Sequence, residues 1–532
     1  MVATFEREGD DITVSDMVIP EAEASQIEKY FSGSTVFLTG GTGFLGKLIT
    51  EKLLRTCRGV KRIYLMIRSK KDKTIEKRLE ELVDNVLWER LRKEQPNFIE
   101  KIVLVNGDCT LSNLGLSDED RQKLINEVNC VFHCAATVRF DEKIRSATHI
   151  NIRATRDILL LSKEIKNLKS FVYVSTAFSN CIRKEINEEF YEPTISGDKL
   201  ITLVDTLNEE MLDSILPTIL GQWPNTYALT KAVAEEVVKS YSDGLPIAIV
   251  RPAIVISTVK EPVAGWIDNI YGATGVLVGA ALGVIRTLQC DKNCRAEIVP
   301  ADYVINCCIS AAWDIGTTKK SNKIKELTFD DKQNDKKKED EVQIYNYVCS
   351  PEKPIRWKDF MMLAEKYLKQ IPSPLLIWHY CFIITPNYYL HMLLIILLHR
   401  VPAYTIDFFA KCIGREPMLV KGYKKIDKFL RVLAYFATQE WHFQNKNTQA
   451  LWRKLNETDK KSFEFSLDLL DWDAFFSTYA RGGRVYLCKD PMESLPQGRI
   501  KYRNLQIAHY TLCMVLLFIF VRFIIFLWHC FV

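Results

Sequence analysis

A doubly wound, parallel α/β fold is what this chain predicts, and three observations carry that expectation. From Thr35 onward, short and continuously apolar β-rich runs alternate with helical stretches. Runs apolar throughout suit a parallel sheet covered by helices on both faces. The first run ends in a glycine-rich turn, TGGTGFLG at residues 39–46, which opens a helix. Farther on, YALTK at residues 227–231 sets a phenol and an ammonium four residues apart, on one face of a helix.

Residues 1–30 are polar and acidic and are expected to be a disordered N-terminal segment. The strand Thr35-Val36-Phe37-Leu38 then leads into the glycine turn. Strand, glycine turn and helix together are the context that a dinucleotide pyrophosphate needs. Gly40 permits the tight turn, Gly43 lets backbone approach a phosphate, and Gly46 lets helix and strand pack closely. Thr39, Phe44 and Leu45 complete the predicted cofactor loop.

The second run, residues 63–67, ends in Arg68-Ser69-Lys70-Lys71. An acidic residue near this point usually holds the ribose hydroxyl of NAD. Here Arg68 and Lys70 offer charge to a 2′-phosphate instead, so NADPH is the predicted cofactor. After the third run, residues 102–105, Asp108 is placed to accept from an adenine amino group. After the fourth, residues 130–133, Ala135 and Ala136 are small enough for a cofactor to pass. The fifth, residues 171–174, delivers Ser175 and Thr176, either of which can bond a carbonyl oxygen. The sixth, residues 247–250, ends at Arg251 and Pro252, where backbone is expected to border the nicotinamide.

These groups support hydride transfer to a carbonyl. Tyr227 is the expected proton donor, Lys231 is expected to lower its pKa and hold the nicotinamide ribose, and Thr176 or Ser175 orients the substrate.

At 532 residues the chain is long enough for more than one domain. Its 71 Lys and Arg against 66 Asp and Glu leave a net charge of +5, too mild a balance to argue for nucleic acid. The N-terminus lacks the apolar core of a secretory signal. The 15 cysteines lack paired metal-type spacing and are expected to be reduced thiols, with no metal site.

Residues 31–360 are read as the nucleotide-binding reductase domain, interrupted by a charged surface insertion at 317–341 before a last strand at 342–348. Residues 361–490 are read as a mostly helical domain. Within it 375–398 is strongly apolar and 429–452 looks helical and aromatic, which suits a membrane-facing surface. A transmembrane anchor is placed at 507–529. Its apolar stretch, residues 510–528, would span about 28 Å as a helix against the ~30 Å hydrocarbon core of a bilayer. Arg499, Lys501 and Arg503 precede it, so the positive-inside bias puts the enzyme in the cytosol.

Taken together, TGGTGFLGKLITEKLLR, IYLMIRSKK, VFHCAATVRFDE, NTYALTKAVAEE, VRPAIV, EPVAGWIDN and VPADYVIN closely resemble the insect-type alcohol-forming fatty acyl-CoA reductases. These are members of the extended short-chain dehydrogenase/reductase superfamily, with its Rossmann fold. HRVPAYTID and FEFSLDLLDWDAFF, followed by GGRVYL, resemble that family's C-terminal domain, so the likeness runs over residues 27–490. The resemblance implies NADPH-dependent reduction of a long-chain acyl-CoA to a primary alcohol through an aldehyde, with release of CoA. It also implies a lipid membrane setting, of endoplasmic reticulum or peroxisome. A homodimer is left open. One departure is Ala281-Leu282-Gly283, where the family usually carries Gly-Lys-Gly. Another extended short-chain reductase, acting on a sterol or nucleotide-sugar, is one alternative. A non-catalytic NADPH-binding scaffold is the other.

Overall fold

Seven runs that read as buried strands form one parallel sheet. The computed structural model describes residues 23–69, 73–326 and 342–531, with side chains outside 319–326. In chain order the elements that matter are β1 (Thr35–Thr39), α1 (Phe44–Thr56), β2 (Arg62–Ile67), β3 (Ile102–Asn106), β4 (Cys130–His133), β5 (Ser170–Val174), α2 (Thr226–Tyr241), β6 (Ile247–Pro252), α3 (Ala301–Glu326) and β7 (Gln343–Tyr347). The sheet order is β7-β6-β5-β4-β1-β2-β3, every pairing parallel. Burial explains why the runs are apolar throughout: every residue of β1, β4, β5 and β6 is buried.

Helix α1 packs with α3, while α2 packs with the helix Ala154–Glu164, so two helical layers clad the sheet. The order reverses between β1 and β4, which opens a crevice at the carboxyl ends of these strands. That is where ligands bind in open parallel sheets.

Several expectations need correction. The segment expected to be disordered, residues 1–30, ends inside the helix Gln26–Phe31, which buries Ile27 and Phe31. Asp459 clamps its start, accepting from Ser25 Oγ at 2.5 Å and from the Gln26 and Ile27 amides at 2.9 and 3.4 Å. Residues 1–22 lie outside those described. Helix α3 runs to Glu326, into the charged stretch read as a loop from Thr317. Residues 327–341 also lie outside those described.

The C-terminal half threads back onto the first. Ile383–Thr385 pairs with Thr287–Gln289, and His442–Phe443 pairs with Glu185–Ile186. That second pairing splits the expected helix 429–452 in two. Its helix α5 (Leu419–Ala437) stops, Trp441 donates its indole N–H to Cys181 O at 2.9 Å, and helix resumes only at Lys446–Lys454. The apolar run 375–398 breaks at Pro386, as its sequence indicates. Pro386 cannot continue the pattern, and Asn387 caps a new helix by accepting from Leu390 N at 3.0 Å. This is α4 (Tyr388–Cys412), which precedes α5, and the last element is α6 (Leu495–Phe531). Among the described residues, two helices are long and apolar enough to cross a membrane, Tyr388–Cys412 and Met492–Phe531.

Candidate active site

The glycine turn is built by close backbone approach. Gly40 has φ of +71°, and a side chain there would put Cβ 2.7 Å from Ala135 N, at the end of β4. A Cβ on Gly46 would lie 2.3 Å from Gly40 O. Gly41, which sequence reasoning passed over, is as constrained: its Cβ would fall 2.0 Å from Leu65 Cδ1. Gly43 caps α1 without a side-chain hydrogen bond, leaving the amides of a helix N-terminus unsatisfied by any cap. These are the features of a pyrophosphate cradle, and the residues fit a nicotinamide dinucleotide.

Thr39 sits differently from the expectation. It is fully buried, and its Oγ1 pairs with His133 Nδ1 at 2.7 Å while receiving the Ala135 amide at 3.4 Å. It fastens β1 to β4 from below the loop. His133 also meets Thr155 Oγ1 at 3.1 Å, and burial pushes its pKa down to about 3, so this is a neutral core histidine. Phe44 stacks on Trp266 at 5.4 Å, which brings the GWIDN segment against the start of α1. Leu45 is half-buried one position further on.

At the adenosine end, Arg68 is half exposed and its guanidinium stands 3.8 Å from Asp108 Oδ2. Asp108 Oδ1 accepts from Thr110 N and Oγ1, both at 2.9 Å, so it closes the loop after β3 and keeps only one oxygen for a ligand. Arg78 donates to the Arg68 carbonyl, and burial with the Arg68 charge lowers its pKa. It is a second cation at this edge, ten residues from the strand end and without a local signal. Lys70 lies outside the described residues.

Where β5 ends, two adjacent hydroxyls part company. Ser175 Oγ donates to Glu235 Oε1 at 2.5 Å. Ser179 Oγ reaches the same oxygen at 3.1 Å, and Arg251 grips Glu235 through Nε at 3.0 Å and an Nη at 2.7 Å. Ser175 therefore belongs to a buried ion-pair network, which corrects its assignment as a substrate ligand. From sequence, Arg251 receives only a backbone role at the end of β6 and Glu235 is passed over, although Glu235 follows Lys231 by one helical turn. Thr176 Oγ1 instead turns toward Tyr227, whose pKa it acts to lower, and donates to Pro252 O at 3.4 Å. Pro252 is buried, and its carbonyl also receives the Ala177 amide at 2.9 Å. Ala135 and Ala136 are half-buried beside the glycine turn.

Tyr227 and Lys231 share a face of α2, but the expected pKa relation between them is not met. Burial raises Tyr227 to about 12, opposed by the Thr176 hydrogen bond. Lys231 Nζ points to Val174 O at 2.8 Å and Tyr173 Oη at 3.2 Å, and lies 4.6 Å from the Tyr173 ring centre. Burial lowers its own pKa to about 8, opposed by the Glu235 charge. Its ammonium is thus held by the end of β5 rather than by the phenol. The result is a Tyr227 that keeps its proton and a Lys231 poised to gain or lose one.

Tyr227 also meets the C-terminal half. Phe140 packs edge-on to Tyr227 at 5.6 Å and stacks on Phe436 of α5 at 5.8 Å. Phe178 joins Phe436 and Trp441 at 5.3 and 5.4 Å. An aromatic wall from both halves thus borders the phenol. The departure at Ala281-Leu282-Gly283 lies elsewhere, packed under Trp378, whose carbonyl would sit 2.4 Å from a Cβ on Gly283.

Comparison with known proteins follows the same division. Residues 38–308 match the family model NAD_binding_4 (male sterility protein), and residues 398–490 match Sterile (male sterility protein). The chain is 40% identical over 489 residues to fatty acyl-CoA reductase wat of Drosophila melanogaster, covering 92% of this chain and 91% of that one. It is 36% identical over 494 residues to human fatty acyl-CoA reductase 1, covering 92% of each. Among solved structures, the reductase domain of a nonribosomal peptide synthetase from Mycobacterium tuberculosis superposes with a TM-score of 0.54 at 16% identity, over 87% of this chain and 95% of that one. The terminal reductase domain of the myxalamid pathway gives 0.51 at 20% identity, over 85% and 90%. Both share the fold.

Proposed function

The chain belongs to the fatty acyl-CoA reductase family, and from that premise we propose that it reduces a long-chain fatty acyl-CoA to a primary alcohol with NADPH. The observation that carries the reading is the meeting of Thr176, Tyr227 and Lys231 beside the glycine cradle, at the carboxyl ends of β1, β4 and β5.

The glycine turn and the start of α1 would hold the pyrophosphate, and Arg68 with Arg78 would hold a 2′-phosphate. Bound there, the reduced nicotinamide supplies the hydride in each of two rounds. In the first, a hydride would add to the thioester carbonyl, the carbon–sulfur bond would break, and CoA would leave as a thiolate that takes its proton from solvent. The oxidised coenzyme would be exchanged for a second reduced one before the next round. In the second, the aldehyde carbonyl gains a hydride and a proton to become the alcohol. Thr176 Oγ1 orients the carbonyl oxygen, and Tyr227 Oη delivers the proton as negative charge builds there. A phenol whose proton is firmly held still transfers it once an alkoxide, a far stronger base, forms beside it. Lys231 supports the nicotinamide ribose and supplies positive charge below about pH 8. Glu235 and Arg251 hold the β5 end rigid, so that Thr176 faces the phenol.

The aromatic wall of Phe140, Phe178 and Phe436 suits an acyl chain better than a sugar nucleotide. Helix α6, mostly apolar and exposed from Tyr510 onward, suits a membrane anchor with the enzyme on the cytosolic side, on endoplasmic reticulum or peroxisome. The test is direct. Purified chain in detergent, given hexadecanoyl-CoA and NADPH, should form hexadecanol and free CoA. No NADPH consumption with any long-chain thioester would sink the reading.

A further inference from the structure

The hairpin of α4 and α5 exposes an apolar outer side while it buries His391, His399, Asp407 and Asp427 among its inward residues. Tyr389, Tyr404, Phe408, Phe409, Ile413 and Met418 are between 59% and 82% exposed. A cluster of that kind exceeds the scattered apolar exposure of an ordinary surface. The turn between the helices is firmly built. Buried Asp407 accepts the amides of Met418, Leu419 and Val420 at 3.1, 3.0 and 2.9 Å. Between the helices, Asp427 meets Arg400 at 3.3 Å, and His399 stacks on Tyr423 at 4.9 Å. Lys421, Lys424 and Lys425 on α5 all face solvent.

By length and composition α4 qualifies as a membrane span, yet its return leg argues otherwise. Were α4 to cross, α5 would have to cross back. It carries Lys421, Lys424, Lys425, Asp427, Lys428 and Arg431, and charges at bilayer depth are costly. It ends inside the enzyme, where Tyr435 Oη donates to Cys181 O at 3.2 Å. An apolar surface beside lysines fits the boundary between headgroups and acyl chains, with the cations meeting anionic lipid.

We propose that the α4–α5 hairpin docks into an anionic lipid leaflet, lying on the membrane without crossing it. The surface is continuous with the proposed anchor. Trp378 donates to His509 of α6 at 3.2 Å, and Arg286 lies over the Trp378 ring at 5.7 Å while donating to Leu398 O of α4 at 2.8 Å. Helix α5 then rises about 26 Å from its lipid-facing start to Phe436, two ring contacts from Tyr227. The hairpin thereby stations the aromatic wall above the lipid that carries the substrate. The inference deepens the membrane part of the proposed function and rests on it.

The experiment places the photocrosslinker benzoylphenylalanine at Phe409, or at exposed Leu111 as a control, in the full chain reconstituted into sealed vesicles. The vesicles are phosphatidylcholine with or without phosphatidylserine. Lipid adducts at 409 should exceed those at 111 by about tenfold and rise with phosphatidylserine. The triple variant Lys421→Glu, Lys424→Glu, Lys425→Glu should lose that rise. A protease site inserted after Gly414 should be cut from the same side as the catalytic domain. Equal adducts at the two positions, adducts to a second protein chain in place of lipid, or a site at Gly414 protected where the catalytic domain is cut would each overturn the proposal. NADPH oxidation in detergent is measured on the same samples. Its loss with lipid adducts retained would count against the reductase reading alone.

Discussion

At the nucleotide crevice, backbone lies against backbone, and a single methyl on Gly46 would stand 2.3 Å from Gly40 O. At the α4–α5 hairpin, Phe408 and Phe409 pack edge-on against each other at 5.6 Å and remain 64% and 61% exposed. The crevice gets its shape from contacts inside the chain, so its residues are fixed by steric need and by partners that can be named. The hairpin keeps its side chains in place through Asp407 and the Asp427 cluster, and leaves its outer face for surroundings other than protein. Changes at the first region should therefore act on chemistry, and changes at the second on where the enzyme resides.

The strongest way to test that separation is Tyr227→Phe. Alcohol formation should fall by about 10²–10⁴-fold, while NADPH titration by fluorescence and vesicle association stay as they were. Retained turnover would remove the phenol from its role. The neighbouring hydroxyls give the next contrast. Thr176→Ala should lower kcat by about 10²-fold, the scale of a lost oxyanion donor. Ser175→Ala should change kcat little and instead lower thermal stability by about 1 kcal/mol, the worth of one buried hydrogen bond. A reversed pattern would return Ser175 to the substrate.

Arg68→Ala should weaken NADPH by about tenfold, since hydrogen bonds to charged groups are worth about 1.5–3 kcal/mol, with NADH unaffected. Equal losses for both coenzymes would refute the 2′-phosphate assignment. The mildest expectation concerns pH. Lys231 is lowered to about 8 and Tyr227 raised to about 12. Below about 8 the ammonium is charged and the phenol protonated; as pH rises through 8 the lysine loses its charge first. The reductive kcat/KM should fall along that limb, and Lys231→Met should lack it. A limb that persists in the variant belongs to another group.

Much of the crevice was legible because its signals are local. Parallel strands buried on both faces must be apolar at every position, and the seven runs announce themselves. The glycines, Tyr227 and Lys231 stand at spacings set by one turn or one helix. What escaped notice depends on distant partners. Ser175 and Thr176 are neighbouring hydroxyls, and only Glu235, 60 residues away, separates their roles. Glu235 reads like any solvated helix residue until Arg251 is placed beside it. Likewise α5 ends where Glu185–Ile186 recruits His442–Phe443 into a strand pair, which helical periodicity could not foretell. Gln26 and Ile27 looked like part of a tail because the carboxylate that pins them is at position 459.

That clamp bears on how the molecule comes into being. The segment leading into the first strand is secured by Asp459, a residue the ribosome delivers more than four hundred codons later. The same late stretch buries Phe463, Phe465 and Leu467 in the main core. A nascent chain carrying every catalytic group would still lack its closing stitches. Expression of the catalytic portion alone, ending before them, should give insoluble material in place of a working enzyme fragment.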